Sequence, residues 1–144
     1  MKPIQLKLQG FGPYVQEQVV DFRKLHDVPL FLITGPTGSG KTTLLDAMCY
    51  ALYGDTSGGV RDGRQMRSDF ADPSCPTEVT LDFSIGAESY RVRRSPQQIR
   101  PRKRGVGLTE DPATATLWRR TGVTDEREEG DVLAAQPQRV TEKV

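Results

Sequence analysis

The chain has 144 residues, of which 35% are hydrophobic, and this is the size of one domain with a modest core. Twenty basic residues oppose nineteen acidic ones, so the net charge of +1 excludes a global attraction to nucleic acid or membranes. The two cysteines have neither CxxC spacing nor a neighbouring histidine, which argues against a disulfide framework and a zinc site. The first residues do not read as a basic region followed by an apolar stretch, so we expect a cytoplasmic protein without a membrane span.

The first predicted elements are strands. Polar and apolar residues alternate over residues 4–8, a turn follows at 10–13, and residues 19–22 predict a second strand running back. After a polar connector that contains His26, to which we assign no role, residues 30–33 form a continuous apolar run. Such a run predicts a central strand that is buried on both faces.

A phosphate-loop motif, GxxxxGK[ST], follows this strand and precedes a helix that apolar spacing predicts up to Gly54. The motif residues are Gly35, Pro36, Thr37, Gly38, Ser39, Gly40, Lys41 and Thr42. Glycines let backbone amides approach phosphate oxygens, and the first turn of the helix adds its free amides. Lys41 is the candidate catalytic residue because its ammonium would reach the terminal phosphates, and Thr42 would place its hydroxyl on magnesium. Together with Thr43, these residues form the predicted binding site for ATP and Mg²⁺.

The rest of the chain predicts a long surface connection and a few short elements. Residues 55–76 are rich in Gly, Ser, Asp and Arg, with one helical turn expected at 65–70. Clean alternation predicts a hairpin over residues 79–92, and a shorter strand is expected over 115–118. A helix is expected to begin near residue 140.

Hydrolysis would need a second acidic residue at the end of an apolar strand, to hold magnesium, and a group that orients water. Asp82 lies inside an alternating strand, so the pattern favours a solvent-facing residue over a metal ligand. We therefore expect this chain to bind ATP but to hydrolyse it inefficiently by itself.

Basic residues crowd the segment after the hairpin, where Pro96, Pro101 and Gly105 argue against a regular element. Such a cluster can contact DNA phosphates without reading base sequence, or it can be a solubilising loop balanced by the acidic residues of 125–131. The DNA-contact candidates are Arg93, Arg94, Arg100, Arg102, Lys103 and Arg104. The aromatic interleaving of a single-strand stacking surface is missing, and Trp118 and Phe83 are predicted core residues.

Three separated segments together resemble the SbcC ATPases, bacterial members of the structural-maintenance-of-chromosomes class that work with the SbcD nuclease. The family's N-terminal hairpin is similar to MKPIQLKLQGFGPYVQEQVVDF, and its nucleotide loop and helix are similar to FLITGPTGSGKTTLLDAMCYALYGDT. Its basic insertion is similar to SYRVRRSPQQIRPRKRGVGLTEDPATATLW. Related proteins often carry an arginine in the first turn, which here reads Phe11-Gly12-Pro13-Tyr14, so no arginine contact is carried over.

The resemblance implies the N-terminal half of an ATPase head, separated from the second half by a long coiled coil whose tip binds zinc. The glutamine loop, the second acidic motif and the signature serine motif would then lie beyond Val144. ATP binding would bring two heads together and control the nuclease's access to double-stranded DNA ends in repair and recombination. The implied partners are an SbcD-like nuclease, the second head half and DNA, and the implied location is the cytoplasm, at the nucleoid.

We therefore predict an α/β fold of the P-loop NTPase type, with residues 1–144 as the N-terminal part of an ABC/SMC-type head. The sheet should be mixed, with an antiparallel part built from the N-terminal strands and the later hairpin, and with the phosphate-loop helix packed against it. Two other functions stay open: a small nucleotide kinase, which would need an acceptor site and a lid, and a nucleotide-responsive interaction module without turnover.

Overall fold

Eight strands and two α-helices make up the described part of the chain. The computed structural model describes residues 1–25, 27–28, 30–57, 65–102 and 106–144, so His26 lies outside the described residues. The strands are β1 (Lys2–Gln9), β2 (Gln18–Asp21), β3 (Glu78–Ile85), β4 (Glu88–Ser95), β5 (Gln98–Pro101), β6 (Leu108–Asp111), β7 (Thr114–Arg119) and β8 (Asp131–Ala135). The helices are α1 (Lys41–Tyr53), α2 (Pro137–Lys143) and a short 3₁₀ turn at Arg23–Leu25. Among the described residues, neither α-helix combines the length and the apolar character needed to cross a membrane.

Six of the strands form one sheet in the order β2-β1-β3-β4-β7-β8, and every neighbouring pair in it is antiparallel. The predicted N-terminal strand pair and the hairpin over residues 79–92 are confirmed as β1–β2 and β3–β4. The predicted mixed sheet is thus antiparallel throughout its described strands. Strands β5 and β6 form a separate two-stranded hairpin.

Alternation along the strands gives the sheet one apolar face, which α1 and α2 cover. The core on this face contains Leu6, Leu8, Val79, Leu81, Phe83, Val92 and Leu117 from the strands, with Ala47, Tyr50, Ala51 and Val140 from the helices. Phe83 is therefore a core residue, as predicted. Trp118 is also buried, but it contacts the guanidinium of Arg93, 5.3 Å from the ring centroid, outside this cluster.

Residues 30–33 do not form the predicted central strand, and this expectation was wrong for the described structure. They have no regular secondary structure, and Leu30 and Leu32 are each 83% exposed. A strand buried on both faces needs hydrogen-bonded neighbours at its edges, and none of the described strands pairs with this run. The aromatic ring of Phe31 does contact Phe22, with centroids 6.4 Å apart, so the run stays near the sheet without joining it.

Helix α1 begins directly after the glycine loop and ends as predicted at Gly54, whose left-handed backbone (φ 79°) suits glycine and whose amide donates to the Tyr50 carbonyl. Three other details differ from the sequence expectations. Residues 65–70 form turns and a bridge instead of a helical turn, and residues 98–101 pair with residues 108–111 as β5 and β6, although Pro101 lies in β5. Strand β8 was not predicted, because the sequence from residue 125 onward is charged and shows only a weak apolar pattern.

Candidate functional site

The phosphate loop is an exposed turn that leads into α1. Within it the Ser39 amide donates to the Pro36 carbonyl at 3.2 Å. Gly38 has a left-handed backbone (φ 81°), and a Cβ added there would meet nothing within 4 Å. Only glycine takes this backbone conformation without strain, and the open space leaves room for a ligand to approach the main chain.

The first turn of α1 presents backbone donors without a protein cap. Its N-cap residue, Gly40, has a left-handed backbone (φ 85°) and supplies no side-chain acceptor. The Leu44 amide donates to the Gly40 carbonyl at 3.2 Å, which closes the first helical hydrogen bond. Helix geometry gives the preceding amides, of Lys41, Thr42 and Thr43, no intrahelical acceptor. These amides and the positive end of the helix dipole favour an anion at this position.

Lys41 folds back across the loop instead of pointing into solvent. Its ammonium donates to the carbonyls of Gly35 at 2.8 Å and Pro36 at 2.7 Å, and its Nζ lies 3.5 Å from the Ser39 hydroxyl oxygen. The loop therefore already holds a positive charge at its centre. Charged phosphate oxygens are stronger acceptors than carbonyls, so a bound phosphate would compete for this ammonium.

Thr42 fits the predicted magnesium contact in its chemistry. It lies exposed in the first turn of α1, where its hydroxyl oxygen is a hard ligand. Among the described residues, no cluster of three or more His, Cys, Asp and Glu could hold a metal ion by itself. Mg²⁺ commonly keeps several waters and takes its remaining ligands from phosphates and one or two protein oxygens, and this donor set is compatible with that habit.

Asp82 is neither solvent-facing nor free to bind a metal, which corrects the expectation drawn from strand alternation. It is buried on β3, and its two carboxylate oxygens accept hydrogen bonds from the guanidinium of Arg91, both at 2.7 Å. Arg120 adds a third contact at 3.2 Å. The alternating pattern of β3 shows that Asp82 lies on the face opposite the apolar core. It cannot show that arginines of β4 and of the loop after β7 cover that face and form ion pairs there.

Arg94 leaves the set of DNA-contact candidates, because it is buried on the helix-covered face of the sheet. Its guanidinium donates to the carbonyls of Ala51 at 2.8 Å and Leu52 at 3.0 Å, in the last turn of α1. It also donates to the Pro137 carbonyl and the Thr141 hydroxyl of α2. Burial lowers the pKa of Arg94 from its usual value. Strand alternation carried the signal, since Arg94 falls on the same face as Val92.

The other candidates are divided among different surroundings. Arg93 forms ion pairs with Glu129 at 2.7 Å and Glu78 at 3.5 Å. Arg100 pairs with Asp111 across the β5–β6 hairpin, and the Nε of exposed Arg102 donates to the Leu108 carbonyl at 3.2 Å. The two remaining candidates, Lys103 and Arg104, lie outside the described residues. Acidic partners thus offset part of the positive charge, and DNA contact stays a prediction.

Sequence reasoning missed Tyr14, whose hydroxyl lies beside the start of α1 and donates to the Gly40 carbonyl at 3.2 Å. Its contact spans 26 positions in the chain, so no local spacing could reveal it.

Comparison with known proteins agrees with the geometry. The chain is 50% identical to the SbcC component of the nuclease SbcCD from Vibrio cholerae over 117 residues, which are 81% of this chain and 12% of that protein. The protein of the same name from Lactococcus lactis is also 50% identical over 117 residues, which are 81% of this chain and 11% of that protein. The Staphylococcus aureus counterpart is 46% identical over 100 residues, which are 69% of this chain and 10% of that protein.

The resemblance to SbcC proteins is thereby confirmed, and the chain spans about an eighth or less of the length of these curated relatives. The sequence model described as "AAA domain" matches residues 5–129, which include the phosphate loop, α1 and most of the sheet. This chain therefore belongs to the AAA domain family.

Proposed function

We propose that this chain is the ATP-binding N-terminal part of an SbcC-like ATPase, in a P-loop head of the ABC/SMC type. The observation that carries the proposal is the loop-to-helix junction, where an open glycine turn, uncapped first-turn amides and the Lys41 ammonium converge. The turn leaves space for a ligand, and the amides and the ammonium supply hydrogen-bond donors and positive charge. Together these three features favour a polyphosphate over a neutral ligand. The 50% sequence identity with two SbcC proteins supports the same assignment.

In this proposal each group has a separate task. The amides of residues 41–43 bind phosphate oxygens, and Lys41 exchanges its carbonyl contacts with Gly35 and Pro36 for the terminal phosphates. Thr42 supplies one oxygen to Mg²⁺, which neutralises charge on the outer phosphates when it is bound. The chain itself positions and neutralises the triphosphate.

Turnover by this chain alone is expected to be slow. Asp82 is the acidic residue considered above as a metal ligand, and its carboxylate forms ion pairs with Arg91 and Arg120. A phosphate-loop ATPase needs an acidic group and a water-orienting group close to the phosphates. We place these groups in the remaining part of the head.

The wider role is part of the same proposal. The exposed apolar run at residues 30–33 supports it, because such a run suits pairing with further strands of a completed head. In the assembled protein we propose an SbcD-like nuclease, a second ATPase head and double-stranded DNA ends as partners, in DNA repair and recombination. Such a protein would act in the cytoplasm, at the nucleoid.

The test is a titration of the chain with a nonhydrolysable ATP analogue and Mg²⁺. Lys41→Ala should weaken binding about 10-fold or more, because a charge-assisted contact contributes roughly 1.5–3 kcal/mol. Lys24→Ala is the matched control, since it removes the same charge from an exposed position in the 3₁₀ turn. Equal affinity of the folded Lys41→Ala and Lys24→Ala variants would overturn the assignment of the loop.

A further inference from the structure

The turn at residues 11–14 is fixed firmly against the phosphate-loop helix. Phe11 and Tyr14 exchange backbone hydrogen bonds at 2.9 and 3.0 Å, and the Gly12 amide donates to the Met66 carbonyl at 2.7 Å. The Phe11 side chain is completely buried, and its ring lies 5.8 Å from the ring of Tyr50 on α1. The turn therefore cannot shift without disturbing the packing of α1.

Two close approaches bring this turn to the first turn of α1. A Cβ on Gly40 would lie 2.7 Å from the Tyr14 hydroxyl oxygen and 2.9 Å from Pro13 Cγ. A Cβ on Gly12 would lie 2.7 Å from the Thr43 methyl carbon. Because real Cβ atoms do not come this near, Gly12 and Gly40 are needed for the two segments to touch.

The hydrogen bond from Tyr14 acts on the residue that orients the site. The Gly40 carbonyl accepts from the Tyr14 hydroxyl and also from the Leu44 amide, each at 3.2 Å. The Gly40 peptide therefore has its carbonyl direction fixed from two sides, while its left-handed backbone sets the course of the chain into Lys41. The directions of the first-turn amides depend on this peptide, because they follow it in the helix.

We propose that Tyr14 is a positioning residue for phosphate binding: it holds the Gly40 peptide so that the first-turn amides of α1 face the phosphates before the nucleotide arrives. The inference rests on the proposed function of the loop, and it adds a residue outside the phosphate-loop motif. A loop that is already ordered loses less entropy when the ligand binds, so a fixed Gly40 raises affinity without contacting the ligand. The Tyr14 hydroxyl is protonated at neutral pH and can donate, and burial raises its pKa further above the usual value.

The test is Tyr14→Phe, which removes the hydroxyl and keeps the ring that packs on Gly40. We expect binding of magnesium pyrophosphate and of a nonhydrolysable ATP analogue to weaken by about the same factor, roughly 3- to 10-fold, as for one lost hydrogen bond. The thermal midpoint should stay near that of the parent chain, and the amide NMR signals of Gly40 and Lys41 should shift. Tyr53→Phe is the matched control, because it also removes one tyrosine hydroxyl, from the last residue of α1, where the side chain is 57% exposed.

The outcomes separate this inference from the proposed function. If Lys41→Ala weakens binding about 10-fold or more while Tyr14→Phe binds both ligands like the parent chain, the positioning role is overturned and the loop assignment stands. If Tyr14→Phe weakens binding only in proportion to a loss of thermal stability, Tyr14 is a packing residue and the inference is likewise overturned. If Lys41→Ala binds as well as the parent chain, both fall together.

Discussion

Asp82 and Arg91 lie directly opposite each other on β3 and β4 and form a two-point ion pair, with Nε to Oδ1 and Nη2 to Oδ2 both at 2.7 Å. Their side chains are only 8% and 4% exposed. Arg91 also donates to the Glu126 carbonyl at 3.0 Å, and Arg120 joins the same carboxylate. One carboxylate thereby links two strands to the loop that follows β7.

We expect Asp82→Ala to lower the free energy of unfolding by about 3–5 kcal/mol, because the buried guanidinium of Arg91 and the largely covered one of Arg120 would lose their counter-charge. Denaturant unfolding measures this change. The control is Asp69→Ala, at an exposed position, which should change stability by less than about 0.5 kcal/mol. In the milder Asp82→Asn variant, affinity for the magnesium-bound ATP analogue should remain at the parent value. A selective loss of magnesium-dependent binding there would mean that Asp82 is a metal ligand after all.

The elements that could be predicted from the sequence are those fixed by local patterns. The hairpin of β3 and β4 follows from alternation around Gly86 and Ala87, and the loop and α1 follow from motif spacing. Burial that depends on distant partners could not be predicted in the same way. Residues 30–33 are apolar enough for a core strand, but no described strand pairs with them.

Charged residues show the same limit at the candidate site. Arg94 and Arg102 both belong to the predicted DNA-contact set, yet one is buried against α1 and the other is exposed on a hairpin. Composition treats the two alike, because it counts charge and ignores the face of the strand. The phosphate loop was easier to predict, since its function uses the backbone and a fixed spacing.

The exposure of residues 30–33 gives a second prediction. Replacing Leu30 and Leu32 with Ser together should change the free energy of unfolding by less than about 1 kcal/mol, since both side chains are already exposed. Leu81→Ala, at a fully buried position, should cost about 2–5 kcal/mol and serves as the reference for a core residue. Urea unfolding of the parent chain, the double Ser variant and Leu81→Ala measures the three free energies of unfolding. A loss in the double variant as large as in Leu81→Ala would restore the buried strand expected from the sequence.

Tyr50 gives a prediction about alkaline pH. Burial raises the pKa of its hydroxyl to about 12, although the nearby charge of Arg94 acts in the opposite direction. The pKa of Tyr50 is higher in the folded state than in the unfolded state, so the folded state holds the proton more tightly. The contribution of this group to the free energy of unfolding is therefore fully present below about pH 10 and is lost as the pH rises toward 12. Between pH 9 and pH 11 we expect a loss of about 1 kcal/mol from this group. Denaturant unfolding should show a smaller loss in Tyr50→Phe, whereas Tyr53→Phe should follow the parent chain; identical losses in all three would contradict the assignment.

DNA binding by the β5–β6 hairpin is the last prediction, and Arg94 is excluded from it because that guanidinium is buried. The test variant replaces four basic residues with Ala: Arg100, Arg102, Lys103 and Arg104. In a head that joins this chain to the remaining ATPase part, affinity should fall by a similar factor for unrelated DNA sequences, since phosphate contacts carry no base information.

Salt dependence decides between contact and bulk charge. Each lost phosphate contact lowers the slope of log affinity against log salt by roughly 0.9, so four full contacts would lower it by at most about 3.6. We expect a smaller change, because Arg100 is already paired with Asp111. The matched control removes the same charge elsewhere, by replacing four exposed residues: Lys2, Lys24, Arg139 and Lys143. If the two variants lose affinity and slope equally, the hairpin is a solvated charged loop, whereas a selective loss in the hairpin variant, with nucleotide binding intact, identifies it as a DNA-backbone contact.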